Sequence, residues 1–200
     1  REWVRRHPDS VRRAVVLEPR GHADMMAAVL TEATSPGADA GLIFMDSAGY
    51  PLMSGHGVIA AATLALEREL FFSRDAGTGE ACLAFDTPAG TVPVRARLEA
   101  RGSGRRVDAV TFSNVPSFVH TPSYSVRLAA RELRVDVAFG GGFYAIADTE
   151  SIGIPLRPER VPELRRLGED IRNAIDAAGL IEHPAHASLN GIAGGVFTGP

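Results

Sequence analysis

The stretch YPLMSGHGVIAAATLALE, residues 50–67, joins a short polar segment to an almost uninterrupted apolar run. We call residues 54–57 the SGHG segment. The apolar residues that follow it leave almost no polar face, which predicts a helix over residues 57–70 that other structure surrounds. Unpaired backbone N–H groups and the positive end of the helix dipole lie at such an N-terminus. The SGHG segment is therefore a candidate cradle for an anion, either a carboxylate or a phosphate.

The SGHG segment has both a functional and a purely structural interpretation. Its glycines would let a ligand approach the backbone closely, and His56 could donate to that ligand or move a proton near neutral pH. Ser54 could be a nucleophile, an acid–base group or an N-cap, since serine is among the best N-cap residues. Glycine and histidine also occur in turns without a chemical role. The segment matches neither the Gly-x-Ser-x-Gly nucleophile elbow nor the P-loop, which requires a lysine.

Composition excludes several classes of protein. The chain of 200 residues carries a net charge of -3, whereas a nucleic-acid-binding protein usually presents a basic surface. Its one cysteine, Cys82, excludes an internal disulfide framework and a cysteine-rich zinc site. His183 and His186 have no third ligand nearby in the sequence, so we expect no metal. The sequence has no run of about 18 apolar residues and no signal peptide, so we expect a cytoplasmic protein without a membrane partner.

Strand-like and helical patterns follow one another along the chain, which predicts an α+β fold. Short apolar runs bounded by turn residues predict strands over residues 14–18, 40–46, 81–86, 91–98, 107–112, 124–130, 132–139, 143–148 and 189–198. Apolar residues at spacings of three and four predict an amphipathic helix over residues 159–178. Residues 22–32 fit either a helix or a strand.

Six stretches of the chain, taken together and in order, resemble the proline racemase superfamily. They are EPRGHADM (18–25), DAGLIFMDSAGYPLMSGHGVIAA (39–61), DTPAGTV (86–92), VPSF (115–118), VDVAFGGGFYAI (135–146) and HP (183–184). The resemblance implies a diaminopimelate epimerase-like fold with two pseudo-symmetric lobes, each a curved, mainly antiparallel sheet around a central buried helix. It assigns residues 1–120 to the first lobe and residues 121–200 to an incomplete second lobe, with the active site between the lobes.

The resemblance also implies roles for single residues. Ser54 takes the position of a catalytic cysteine in many members and would face the α-carbon of a bound cyclic amino acid. The residues that match contacts to the substrate's carboxylate and amine are Gly55, His56 and Gly57. Met26 stands where relatives have an aromatic wall residue. His22 lies in a polar turn that is either part of the wall of the site or a plain turn.

Members of the superfamily remove an α-proton with one of two acid–base residues, and the resemblance implies no metal or organic cofactor. A thiolate at a helix N-terminus can exist near neutral pH, whereas a serine hydroxyl is a poor base unless a neighbour takes its proton. We therefore expect Ser54 to donate a proton or a hydrogen bond. The second catalytic motif, of the type Asp-Arg-Ser-Pro-(Cys or Thr)-Gly-Thr-Gly, is absent from residues 1–200. We expect the chain to be a fragment of a longer protein, or its ordered part.

The superfamily contains proline racemases, 4-hydroxyproline 2-epimerases and trans-3-hydroxy-L-proline dehydratases. EPRGHADM and AFGGGFYAI look most like the dehydratase branch, which implies dehydration of trans-3-hydroxy-L-proline to pyrroline-2-carboxylate. Epimerase and racemase activity stay open as alternatives, and so does an inactive, degenerate lobe that only binds. The expected partner is a small-molecule substrate, hydroxyproline or proline. No nucleic-acid partner is expected, and a homodimer is an open option.

Overall fold

The computed structural model describes residues 9–70, 74–75, 79–101, 104–129 and 131–199. The chain divides into two compact units, Arg1–Val115 and Pro116–Pro200. Each unit combines a mainly antiparallel sheet with helices, so the predicted α+β class is confirmed. The division precedes the first strand of the second unit, Phe118–Leu128. The boundary near residue 120 that the resemblance implies lies within that strand.

The first unit contains two helices and six strands within its described residues. In chain order they are α1 (Ser10–Val16), β1 (Met26–Thr31), β2 (Ala40–Asp46), α2 (Gly55–Glu67), β3 (Arg74–Asp75), β4 (Glu80–Thr87), β5 (Gly90–Arg101) and β6 (Gly104–Phe112). The strands form one sheet in the order β1-β2-β4-β5-β6, with β3 paired to β4. The β2–β4 pair is parallel, and the other pairs are antiparallel.

Helix α2 packs its small and branched apolar residues against the sheet, mainly against β6. Its buried residues recur at spacings of three and four and are Gly57, Val58, Ala61, Ala62, Ala65 and Leu66. The opposite face is exposed: Ile59 is 40% and Leu64 is 50% accessible. The prediction that other structure surrounds this helix is therefore met along one face only, because the sheet of this unit covers one side of the helix.

The second unit contains six strands and two α-helices within its described residues. They are β7 (Phe118–Leu128), β8 (Arg131–Phe139), β9 (Phe143–Asp148), α3 (Thr149–Ile152), α4 (Val161–Ala178), β10 (Glu182–His183), β11 (His186–Asn190) and β12 (Ile192–Thr198). Four strands form a sheet in the order β12-β9-β8-β7, in which only β12 and β9 run parallel. Strands β10 and β11 form a separate hairpin.

Helix α4 confirms the amphipathic pattern read from the sequence. Its buried residues are Leu164, Leu167, Ile171 and Ile175, and it packs on β12 and β7. The helix ends at Gly179, which has a φ of +65°. That left-handed conformation favours glycine and closes the last helical turn.

Two strand predictions are wrong. Residues 14–18 were expected to form a strand, but most of that run belongs to helix α1, whose only buried residue is Val16. Five residues are too few for the period of the pattern to distinguish a strand from one face of a helix. Residues 189–198 form two strands rather than one, because Gly191, with a φ of +75°, separates β11 from β12.

Among the described residues, no helix combines the length and the apolar character that crossing a lipid bilayer requires.

Candidate active site

Ser54 is the N-cap of helix α2, as the structural interpretation of the SGHG segment predicts. Its backbone is extended, with φ −149° and ψ 111°, and the helix begins at Gly55. Its Oγ accepts a hydrogen bond from the Gly57 N–H at 3.1 Å, and its carbonyl accepts one from the Val58 N–H at 3.0 Å. The first N–H groups of a helix have no intrahelical acceptor. Those of Gly55 and His56 are thus left at the N-terminus of α2, where the dipole favours an anion.

The Ser54 hydroxyl also contacts a side chain that is distant in sequence. Ser54 Oγ donates a hydrogen bond to Met26 Sδ. Met26 is the first residue of β1 and is paired in register with Asp46, the last residue of β2. The structure therefore brings together two of the predicted site residues, Ser54 and Met26. Ser54 is only 6% exposed, so its two partners hold the hydroxyl in one orientation.

The two glycines of the SGHG segment lie against aromatic rings. A Cβ on Gly55 would lie 2.9 Å from Phe112 Cζ, and one on Gly57 would lie 2.8 Å from Phe44 Cε1. Both distances are shorter than real Cβ contacts, so a larger residue at either position would force the ring beside it to shift. Phe112 ends β6 and Phe44 lies in β2. Sequence reasoning missed both rings, because nothing in the local pattern shows which strand residues face the N-terminus of α2.

The two predicted histidines are exposed, unlike Ser54. His56 lies in the first turn of α2. His22 lies in a turn before β1, where its Nδ1 accepts a hydrogen bond from the Asp24 N–H at 3.2 Å. No hydrogen bond joins either histidine to Ser54 in the described part of the chain. The local contact of His22 is that of a polar turn, and a substrate-binding role for His22 or His56 stays a prediction.

An ionic network holds the loop that leads into the SGHG segment. The Arg12 guanidinium pairs with the Asp9 carboxylate, and its Nη1 donates to the carbonyl oxygens of Asp46 and Ser47 at 2.7 and 2.8 Å. The Tyr50 hydroxyl donates to Asp9 Oδ1 at 2.7 Å. The hydrogen bonds from Arg12 and Tyr50 lower the pKa of Asp9 to about 2. Helix α1 therefore clamps the end of β2 and the following turn in place.

The same loop is tied to the turn that carries His22. Ser47 Oγ donates to the carbonyl oxygen of Ala23 at 2.8 Å. Asp46 Oδ1 accepts from the N–H groups of Ala48 and Gly49 at 2.8 and 2.7 Å. These contacts keep the start of β1, and thus Met26, next to the segment that leads to Ser54.

Asp86 organises the other end of β2, and sequence reasoning did not identify it as a special residue. Its Oδ2 accepts from Thr34 N–H, Thr34 Oγ1 and Ser35 N–H at 2.8, 2.9 and 2.6 Å, and its Oδ1 accepts from Thr91 Oγ1 at 2.7 Å. Burial alone would raise the pKa of this carboxyl, but the four donors outweigh it and hold the pKa well below its usual range. Asp86 is thus a buried anion with a structural role.

The chemistry open to Ser54 follows from its partners. Among the described residues, its hydroxyl is bonded to a thioether and to a backbone N–H, and neither group can take a proton from it. Ser54 can therefore donate a hydrogen bond or a proton, but none of the neighbours that the structure describes would make it a base. The described side chains hold no group of three or more His, Cys, Asp or Glu residues arranged to bind a metal ion.

Comparisons with known proteins agree on one family. A sequence model of the proline racemase family matches residues 1–200. The chain is 35% identical over 199 residues to a trans-3-hydroxy-L-proline dehydratase of Bacillus cereus, with 99% of this chain and 57% of the relative covered. It is 38% identical over 190 residues to proline racemase A of Trypanosoma cruzi, with 94% of this chain and 44% of the relative covered.

A solved structure agrees with these sequence matches. The chain superimposes with a TM-score of 0.80 and 29% identity on a hydroxyproline epimerase of Agrobacterium vitis that holds trans-4-hydroxy-L-proline, covering 92% of this chain and 52% of that one. The chain spans about half the length of the curated relatives it matches.

Proposed function

Because the chain belongs to the proline racemase family, we propose that the full-length protein removes the α-proton of a cyclic imino acid by acid–base chemistry. The relatives include a dehydratase, a racemase and an epimerase, and their reactions share this first step. We propose further that the reaction here is the dehydration of trans-3-hydroxy-L-proline to pyrroline-2-carboxylate and water.

The hydrogen bonds of Ser54 favour dehydration over epimerisation and racemisation. Epimerisation needs two residues that can each take and give a proton at the α-carbon. Dehydration needs one base for the α-proton and a donor that helps the 3-hydroxyl to leave as water. Ser54 Oγ donates to Met26 Sδ and accepts from Gly57 N–H, so it has a proton to give, and no neighbour in the described part of the chain can take that proton from it. This state suits a donor and does not suit a base.

We assign the following roles to the other groups of the site. The substrate carboxylate lies at the N-terminus of α2, where the N–H groups of Gly55 and His56 stabilise the negative charge that develops as the α-proton leaves. We assign the role of base to the family's second catalytic motif, which residues 1–200 do not contain. Ser54 donates its proton or a hydrogen bond to the departing 3-hydroxyl.

The direct test uses the full-length protein with trans-3-hydroxy-L-proline, trans-4-hydroxy-L-proline and L-proline. Pyrroline-2-carboxylate is followed by mass spectrometry, and inversion at the α-carbon by optical rotation. We expect water loss from trans-3-hydroxy-L-proline and little inversion of the other two. Inversion of trans-4-hydroxy-L-proline or proline without water loss would assign the protein to the epimerases or racemases. No turnover of all three would instead support an inactive lobe that only binds.

Two variants of Ser54 test its role as donor. Ser54→Ala removes the proton, and we expect the rate of water loss to fall by about 10²-fold or more, as for other general acids. Ser54→Cys places a thiol at the helix N-terminus, where a thiolate can form, so we expect it to gain inversion activity. Ser113→Ala, which alters an exposed serine just after β6, is the control and should keep the wild-type rate. Unchanged rates in Ser54→Ala would refute the role of Ser54.

Four expectations from the sequence stay predictions: a cytoplasmic location, a homodimer, the absence of nucleic-acid partners and an incomplete second lobe.

A further inference from the structure

The contact between Met26 and Ser54 joins two site residues in a way that the family resemblance does not imply. The resemblance makes position 26 part of the wall of the substrate pocket. In the structure, Met26 Sδ accepts a hydrogen bond from Ser54 Oγ. We propose that Met26 is a positioning residue, whose thioether holds the hydroxyl hydrogen of Ser54 and so keeps Ser54 in the state of a proton donor. This inference rests on the proposed function.

Two bonds fix the orientation of the Ser54 hydroxyl. A serine hydroxyl is a rotor with one hydrogen and two lone pairs. The Gly57 N–H occupies one lone pair at 3.1 Å, and Met26 Sδ takes the hydrogen. One lone pair of Ser54 Oγ remains. Without Met26, the hydrogen of Ser54 is free to rotate, and only the cap bond to Gly57 would hold the oxygen.

The backbone fixes Met26 as firmly as the helix fixes Ser54. Met26 is paired with Asp46 at the end of the β1–β2 ladder, and Ala27 is paired with Met45 beside it. Ser47, next to Asp46, is tied to Ala23 by a hydrogen bond of 2.8 Å. The backbone of Met26 is therefore held by the sheet, so its side chain starts from a fixed position next to Ser54.

Sulfur is suited to this task because a thioether is a weak acceptor. It orients the hydroxyl hydrogen but releases it at low cost when the substrate's 3-hydroxyl needs it. A carboxylate at position 26 would bind the hydrogen more strongly and would also accept the proton, which would make Ser54 a base. A leucine of similar shape fills the same space but accepts nothing.

A wall residue and a positioning residue give different kinetics. A residue that only contacts the substrate in its ground state changes KM, whereas one that orients a group used in the transition state changes kcat. We therefore expect Met26→Leu in the full-length protein to lower kcat for trans-3-hydroxy-L-proline about fivefold, the effect of one neutral hydrogen bond, with KM nearly unchanged. Met26→Gln, whose amide oxygen restores an acceptor on a chain of similar length, should recover most of kcat.

Two comparisons separate positioning from a general structural effect. In the Ser54→Ala background, Met26→Leu has no hydroxyl to orient, so we expect it to cause no further loss of kcat. Met25→Leu alters a half-buried neighbouring methionine and should leave both constants unchanged. A rise in KM with kcat unchanged in Met26→Leu, or an equal loss in the Ser54→Ala background, would overturn the inference.

A measurement that needs no activity keeps this inference separate from the proposed function. Urea unfolding midpoints of the wild type, Met26→Leu, Ser54→Ala and the double variant form a double-mutant cycle. If the hydrogen bond exists, the two substitutions are non-additive, and the shift caused by Met26→Leu nearly disappears in the Ser54→Ala background. Additive shifts would overturn the inference even if the enzyme dehydrates its substrate. Non-additive shifts would support the Met26–Ser54 bond even if no substrate is turned over.

Discussion

Replacement of Asp86 tests how the loop before β2 is held in place. Its carboxylate accepts four hydrogen bonds, from Thr34 N–H, Thr34 Oγ1, Ser35 N–H and Thr91 Oγ1, at 2.6 to 2.9 Å. Asp86→Ala leaves these donors without their acceptor in a site where the residue is only 9% exposed. Each unsatisfied buried group costs about 1–3 kcal/mol. Since water can reach some of the donors, we expect a total loss of about 3–5 kcal/mol in the free energy of unfolding.

Asp86→Asn is the matched control, because it keeps the shape and one acceptor oxygen. That oxygen can still serve Thr34 and Ser35, and the Thr91 hydroxyl can turn to accept from the new amide. The charge is lost, and hydrogen bonds to charged groups are stronger than neutral ones by about 1–2 kcal/mol. We expect Asp86→Asn to cost about 1–2 kcal/mol, clearly less than Asp86→Ala.

The pH dependence of the free energy of unfolding gives a second test of the role of Asp86. The pKa of Asp86 is lower in the folded protein than in the unfolded chain, so the carboxylate stabilises the fold above its unfolded value of about 3.9. That contribution is lost as the pH falls below this value and Asp86 protonates in the unfolded state first. The stability difference between wild type and Asp86→Asn should therefore shrink as the pH falls from about 5 towards 2.

Urea unfolding of the full-length protein, followed by circular dichroism at several pH values, measures the cost of Asp86→Ala, the cost of Asp86→Asn and the change of these costs with pH. A cost below about 1 kcal/mol for Asp86→Ala would show that the four bonds add little to the fold. A difference between wild type and Asp86→Asn that does not change with pH would show that the carboxylate is not stabilised in the folded state.

Three further substitutions test the packing around the site and in the second unit. Gly57→Ala places a Cβ 2.8 Å from Phe44 Cε1, so despite the better helix propensity of alanine we expect a net loss of about 1–2 kcal/mol in thermal unfolding, and an unchanged midpoint would contradict the close packing. Arg12→Ala removes the ion pair that helps to lower the pKa of Asp9 to about 2, so NMR titration should show that pKa rising towards its ordinary value, and no rise would remove Arg12 as the cause. Ile171→Ala empties a position in α4 that is 1% exposed, and we expect a loss of about 2–5 kcal/mol in urea unfolding, whereas a loss below about 1 kcal/mol would contradict its place in the core.

Elements with a long periodic pattern or a continuous apolar run could be predicted from the sequence. The 18 residues of α4 show its apolar spacing over several turns, and β2 and β9 are short apolar runs between clear turn residues. Helix α1 could not be predicted, because it buries only Val16 and is held by contacts of Arg12 with the end of β2. Such a helix depends on tertiary contacts that no local period contains.

In the candidate site, too, local features could be predicted from the sequence, whereas contacts between distant residues could not. The N-cap position of Ser54 could be predicted, because capping is a local property of the residue and the helix that follows. The Ser54–Met26 bond joins residues 28 apart in the chain, and the donors to Asp86 come from residues up to 52 apart. These contacts depend on strand register, which the sequence pattern alone does not fix for short strands.

We propose that the full-length protein breaks the α-C–H bond of trans-3-hydroxy-L-proline and that water then leaves. A single-turnover experiment with excess enzyme compares this substrate with its α-deuterated form, since single turnover removes product release from the measured rate. We predict that pyrroline-2-carboxylate forms from both and forms more slowly from the deuterated substrate. Equal rates for the two substrates would mean that α-proton removal does not limit the chemical step, and the absence of the product from both would contradict the claim itself.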